Sequence, residues 1–375
     1  MDKHRIKMSD IVIGQPLPWN VCDADNKLLL RKGQIVTSEG QIDKLIERGL
    51  FVEAQSKKEA DEPPPKELPS ALRHVNRAGR QLERLFLNLS NEADAPAQFS
   101  EIAREMVQAI ALNADVCVAS IFLNQGNASL PVRHCINTAI LSYLVARALA
   151  RPAQEIDAIV AAALTMNLGL IPHQKRLTRI QAGLSQEDAV LVRNHPLRSV
   201  ELLRQAGVAD ESWLSFVGAH HESEDGSGFP AKAVGADIPL GAKILSTVER
   251  YCLRVSAGEP AALLAPNAAF RDMLAKEKTH VDAKVAGALF KELGTYPMGS
   301  FVRLENGEVA IVSAKGDAPG TPLVHELVGR GNAPRTFPIQ RNTALKAYHI
   351  QETLRMDQVN FRFSMQQVWG DDAAG

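Results

Sequence analysis

Two adjacent histidines, an acid and a glycine-rich turn, HHESEDGSGFP from His220 to Pro230, concentrate more chemistry-bearing groups than any other stretch of the sequence. Imidazoles and carboxylates hold divalent metals, and a metal so held acidifies water and stabilises charge developing on a phosphoryl group. Metal-dependent hydrolysis of a phosphate ester is the chemistry this implies. Further donors must come from elsewhere, and the candidates are His134, His195 in the segment NHP, and Glu249 in ILSTVERY. Neighbouring residues on a helix point about 100° apart, so His220 and His221 can serve one ion only near a helix end. The glycines that follow supply that end.

The elements that position these donors are helices. From 131 to about 292 the segments CINTAILSYLVARALA, EIDAIVAAALTMNLGLI, SQEDAVLVRNHPLRSVELLRQ, ESWLSFVGAHHE, GAKILSTVERYCLRVSA and VDAKVAGALFKEL follow one another across short Gly or Pro breaks. Ser185, with Glu187 and Asp188 in the first turn, marks one helix start. Before them, ALRHVNRAGRQLERLFLNL puts Leu72, Val75, Leu82, Leu85 and Phe86 on one face, and FSEIAREMVQAIALN is read as a second amphipathic helix after Ser100. An all-α bundle over residues 69–292 is the economical reading.

Flanking segments differ. Residues 1–54 alternate apolar and polar around turn signals, with Asp23 to Asn26 separating two strand-like runs and a helix expected in TSEGQIDKLIERGLFV: a small N-terminal α/β unit. Residues 55–68, AQSKKEADEPPPKE, are charged and proline-rich, with little to bury, and read as an extended linker. Across 293–375 the alternation returns, Asn306-Gly307 signals a hairpin and TPLVHELV a further strand, which predicts a C-terminal β-rich unit. The fold class is mainly α.

Composition narrows the setting. Lys plus Arg number 42 and Asp plus Glu 43, so no net field draws the chain to nucleic acid or an anionic membrane. Cys22, Cys117, Cys135 and Cys252 are scattered, and no window approaches the roughly 18 apolar residues of a membrane span. A cytoplasmic protein is expected. P-loop, dinucleotide-binding GxGxxG and GxSxG signatures are absent from the sequence.

From about 100 to 292 the sequence resembles the HD-GYP family, a branch of the HD superfamily of metal-dependent phosphohydrolases whose members typically cleave cyclic di-GMP. His134 matches the family's early histidine, and His195-Pro196 a later histidine-proline pair. His220, His221, Glu222, Asp225, Gly226, Gly228, Phe229 and Pro230 match its HHE and DGxGYP segment, with Phe229 in place of tyrosine. Glu249 falls at a final aspartate. The resemblance therefore implies an HD-type all-α bundle, in which His195, His220 and His221 belong chiefly to one metal position and His134 and the final acid to the other.

The defining doublet is missing. Where the family has AxLHDIGKIxIP this chain has AALTMNLGLIP, placing Met166, Asn167 and Leu170 at the histidine, aspartate and lysine. Asn167 lacks the charge that bridges two dications, Met166 offers a soft thioether ill-matched to hard metals, and Leu170 removes a cation. Two readings stay open: a degenerate module that acts by binding, and a phosphodiesterase with an unconventional mononuclear site. The cofactor is correspondingly one transition metal, iron, manganese or zinc, or none. Partners would be bacterial signalling proteins, diguanylate cyclase-type domains among them, or cyclic di-GMP itself, with DGSGFP as the binding loop and Phe229 as its exposed apolar contact. Each donor also has a plainer reading: His134 as a satisfied bundle histidine, His195 as a helix-end residue, Glu249 as a solvated helix acid.

Overall fold

The computed structural model describes residues 3–5, 11, 15–17, 19–23, 28–36, 51–53, 69–124, 126, 128–174, 185–256, 263–331, 333–359, 361 and 363–375. Two compact units result, Met1–Glu67 and Leu68–Gly375. In the first, β1 (Lys3–Arg5), β2 (Val21–Cys22), β3 (Leu28–Leu30) and β4 (Phe51–Glu53) form an antiparallel sheet in the order β1-β4-β2-β3. Ile11, Leu17, Val21 and Val36 make its small core. The helix expected before residue 50 and the linker at 55–68 lie outside the described residues.

The second unit is chiefly helical. Its first helix, α1 (Ala71–Asn88), is capped by Ser70, whose side chain accepts from the Arg73 amide, and it buries Leu72, Val75, Leu82, Leu85 and Phe86. The next, α2 (Ala95–Leu112), starts before Ser100: Asp94 caps it and Pro96 fills its first turn, while the Ser100 hydroxyl bonds the Pro96 carbonyl. There follow α3 (Ala114–Leu123), α4 (Leu130–Ala148), α5 (Ala153–Thr165), α6 (Gln186–Gln205), α7 (Glu211–Ala219), α8 (Leu240–Ser256), α9 (Pro266–Glu277) and α10 (Ala283–Leu293). Central α4 packs against α5, α8 and α10. The stretch Ala153–His173 is long and apolar enough for a membrane span, yet 72% of that window is buried inside the protein, which makes it a core element.

After α10 the chain builds an antiparallel sheet from β5 (Phe301–Leu304), β6 (Val309–Ala314), β7 (Leu323–Val328), β8 (Pro334–Asn342) and β9 (Ile350–Leu354), ordered β8-β7-β6-β5-β9. Gly307, at φ 86°, turns the β5–β6 hairpin. One face places Val302, Leu304, Ala310, Val312 and Val324 in the same core as the helices. On the other, Phe301, Ile311 and Leu327 are covered by Phe361, Phe363 and Trp369, the last in the short α11 (Gln366–Trp369). The sheet thus closes one side of the bundle.

Candidate metal centre

A proline inside a helix sets the first donor. Pro196 lies within α6 and has no N–H to give the carbonyl of Val192, four residues back. His195 uses that carbonyl instead: its Nδ1–H donates to Val192 O at 2.6 Å. The imidazole is thereby held with its Nε2 lone pair free, and it is 2% exposed. His195 is therefore interior to its helix and does not cap an end.

The second donor uses a helix terminus. His220 closes α7, where the last carbonyls have no helical partners, and its Nδ1–H donates to Val217 O at 2.6 Å. Its Nε2 lies 3.1 Å from that of His195. With both Nδ1 atoms donating, both Nε2 atoms present lone pairs, and these repel unless a cation or proton lies between. A tetrahedral ion with nitrogen ligands at 2.0–2.1 Å would set them roughly 3.3 Å apart. His221 turns its ring to the same point, with centroids 4.2 Å from His220 and 4.9 Å from His195. One ring nitrogen from each of the three lies within 4.8 Å of the others, a spacing that fits one metal ion.

The acid comes from α8. Glu249 is 4% exposed, so it is no solvated helix acid. Its Oε1 lies 3.3 Å from His134 Nε2 on α4, and its Oε2 lies 3.5 Å from His221 Nδ1. The other nitrogen of His134, Nδ1, is buried with no hydrogen-bond partner among the described residues. Burial pushes His195 down to about 4, helped by the facing His220, and also lowers His220 and, further, His221. For Glu249 burial opposes ionisation, but His221, then the hydrogen bond from His134, outweigh it and hold the carboxyl well below the usual range. Burial thus favours the neutral form of His195, His220 and His221, the form in which imidazole binds a metal.

Beside His195 stands the altered turn. Met166, fully buried, follows α5; Asn167 is 8% exposed and leads into a 3₁₀ turn, Leu168–His173, that carries the half-buried Leu170. Ser199 of α6 clamps this turn, its hydroxyl donating to Met166 O at 2.8 Å and accepting from the Gly169 amide at 2.9 Å. At Gly169 a Cβ would stand 2.8 Å from the His195 carbonyl, so only glycine allows the approach.

Residues 83–285 match the family described as HD domain, just over half of the chain. The chain belongs to the HD-domain family. Cyclic di-GMP phosphodiesterase PA4108 of Pseudomonas aeruginosa is 25% identical over 179 residues, 48% of this chain and 43% of that protein. Cyclic di-GMP phosphodiesterase PdeB of Borreliella burgdorferi is 18% identical over 206 residues, 55% of this chain and 54% of the relative. This chain spans about half the length of the curated relatives it matches. Bd1817, an HDG"Y"P protein from Bdellovibrio bacteriovorus, superposes with a TM-score of 0.51 at 17% identity, covering 77% of this chain and 99% of its own, which shows the shared fold.

In this HD-domain chain the loop after the histidine pair is built around Glu222. Buried, its carboxylate accepts from the amides of Ala231 at 2.7 Å and Ala233 at 2.9 Å, a bracing role that residue spacing did not reveal. Gly226 adopts φ 75°, and a Cβ on Gly228 would meet the Ser223 amide at 2.4 Å. Exposed Asp225 accepts from the amide and hydroxyl of Ser227, bonds that lower its carboxyl to about 2. The Phe229–Pro230 peptide is cis. Expected as an exposed contact, Phe229 is half-buried, its ring 4.7 Å from that of His221 and tilted by 33°. Stacking on an imidazole removes part of it from water.

Proposed function

We propose that this chain is a hydrolysis-deficient HD-GYP module of bacterial cyclic di-GMP signalling, which holds one transition metal and acts by binding. Its carrying observation is the contrast between the two halves of the site. His195, His220 and His221 converge, the first two with their tautomers set by main-chain carbonyls, while the turn docked beside them has Met166, Asn167 and Leu170 in place of the charged doublet and lysine. His195, His220 and His221 would hold zinc, iron or manganese, which when bound supplies Lewis acidity. At the second position His134 and Glu249 are bonded to each other, and the missing negative charge of an aspartate leaves nothing to hold two dications together. The occupants we envisage are cytoplasmic signalling proteins, such as diguanylate cyclase-type domains, or intact cyclic di-GMP, with Asp225, Gly226, Gly228, Phe229 and Pro230 as the contact loop.

A second reading, a mononuclear phosphodiesterase, is favoured by the curated relatives, both named cyclic di-GMP phosphodiesterases. Incubating the protein with cyclic di-GMP in iron, manganese, magnesium or zinc, and resolving the products by chromatography, separates the two. The binding reading expects no linear or mononucleotide product and no more than one metal per chain. Metal-dependent turnover would establish the second reading in its place.

A further inference from the structure

We infer that Glu249 is a positioning residue: it orients His221 toward a metal held by the three histidines and does not itself ligate. The inference rests on the one-metal reading above. Each carboxylate oxygen already has a neighbour, His134 Nε2 at 3.3 Å from Oε1 and His221 Nδ1 at 3.5 Å from Oε2. Carboxylate oxygen repels an imidazole lone pair, so the nitrogen facing it carries the proton and the opposite nitrogen is left bare.

This completes a pattern across the site. His195 gives its Nδ1–H to Val192 O and His220 gives its own to Val217 O, whereas no main-chain carbonyl bonds His221 Nδ1 among the described residues. Glu249 Oε2, 3.5 Å away, is the oxygen that faces His221 Nδ1, so in the inferred arrangement each Nδ1–H has an oxygen beside it and the three Nε2 atoms are left for the metal. Side-chain length matters here. Glu249 spans from His134 on α4 to the His221 ring, and an aspartate at 249 would stop about 1.5 Å short, one carbon–carbon bond. His134, bonded to the other oxygen, then acts as the carboxylate's anchor.

Cobalt(II) is the probe. In the cobalt-loaded protein the inference expects one ion per chain and three exchangeable, hyperfine-shifted N–H proton resonances, one from each Nδ1–H. Glu249→Gln should keep the stoichiometry and the d–d spectrum of three nitrogen donors, displace only the His221 resonance and weaken binding by 10- to 100-fold, the usual loss when a ligand's outer partner changes. Glu249→Asp should not restore it. A d–d spectrum in Glu249→Gln that has lost a donor, or an unchanged His221 resonance with unchanged affinity, would overturn the inference. Nitrogen-15 shifts of His221 in the metal-free wild type test it with no variant: a proton on Nδ1 supports it, and one on Nε2 sinks it. Failure of the wild type to take up cobalt would count against the one-metal reading, leaving that tautomer measurement to decide the role of Glu249.

Discussion

His195 Nδ1 lies 2.6 Å from the carbonyl of Val192, the acceptor that Pro196 leaves without its helical donor. A residue that weakens the helix thus fixes the tautomer of a candidate metal ligand. Pro196→Ala should separate the two effects. Restoring the amide closes the helical bond and relieves a defect worth up to about 3 kcal/mol, so the melting temperature should rise. The new N–H competes for Val192 O, and cobalt affinity should fall roughly tenfold, the lower end for loss of an outer partner. Chelator competition read beside thermal denaturation checks both; greater stability with unaltered affinity would show that Val192 O does not control the ring.

Rebuilding hydrolysis should take two changes. Asn167→Asp alone restores a bridging charge but leaves Met166 without a nitrogen donor, so the expected activity on cyclic di-GMP is close to background. Met166→His with Asn167→Asp restores both groups at a turn already held to α6 by Ser199. Because Met166 is fully buried, the double variant should also lose stability, about 1–3 kcal/mol for placing a polar ring in that space. Metal content rising from one toward two ions per chain is the checking measurement, and a double variant with one ion and no activity would refute the scheme.

Glu222 braces the loop through two amides, so Glu222→Ala should leave both without an acceptor and cost about 2 kcal/mol or more in chemical denaturation. Hydrogen exchange at Ala231 and Ala233 should speed up first. Retained protection at both amides would assign the bracing to other contacts.

The legible parts of this fold were those with a period or a turn residue. Leu72, Val75, Leu82, Leu85 and Phe86 mark the buried face of α1, and Asn306-Gly307 marks the β5–β6 hairpin. By contrast, α3 is apolar on nearly every side and shows no helical stripe, so nothing distinguished it. The burial of Glu249 does have a signal in the sequence: it sits four residues after Leu245 and three before Cys252, both fully buried on the inner face of α8. The acceptors Val192 O and Val217 O belong to the backbone, which residue types do not display; only the proline following His195 hinted at one of them.

Acid should loosen α8 from α9. Glu277 accepts from both Arg250 and Arg254. Burial works against its charge, but Arg254 and Arg250 outweigh it and hold the carboxyl below its ordinary value. A carboxyl lowered in the folded state stabilises fully above the unfolded value, about 4.3, and loses that contribution as pH falls from there through the folded value. The wild-type melting temperature should therefore drop more steeply below about pH 4.5 than that of Glu277→Gln, which should already be lower at pH 7. Parallel curves for the two proteins would remove Glu277 from the account.

Phe229 lies over the one metal-directed histidine that retains access to solvent. The side chain of His221 is 20% exposed, whereas His195 and His220 are buried outright, and the Phe229 ring sits 4.7 Å from it. Truncation removes a half-buried ring whose packing contributes about 1 kcal/mol, so Phe229→Ala should lower the melting temperature only slightly. Its larger effect should be kinetic. With the ring gone, a chelator can reach the metal from the side of His221, and cobalt release followed by loss of visible absorbance should accelerate at least several-fold, with one ion per chain still bound at equilibrium. Phe229→Leu keeps apolar cover without the aromatic face and should fall between the two. If release is unchanged in both variants while partner capture fails, the ring serves as a contact; if melting falls by well over 10 °C, it belongs to the core, since about 1 kcal/mol moves a chain of this size by only a few degrees.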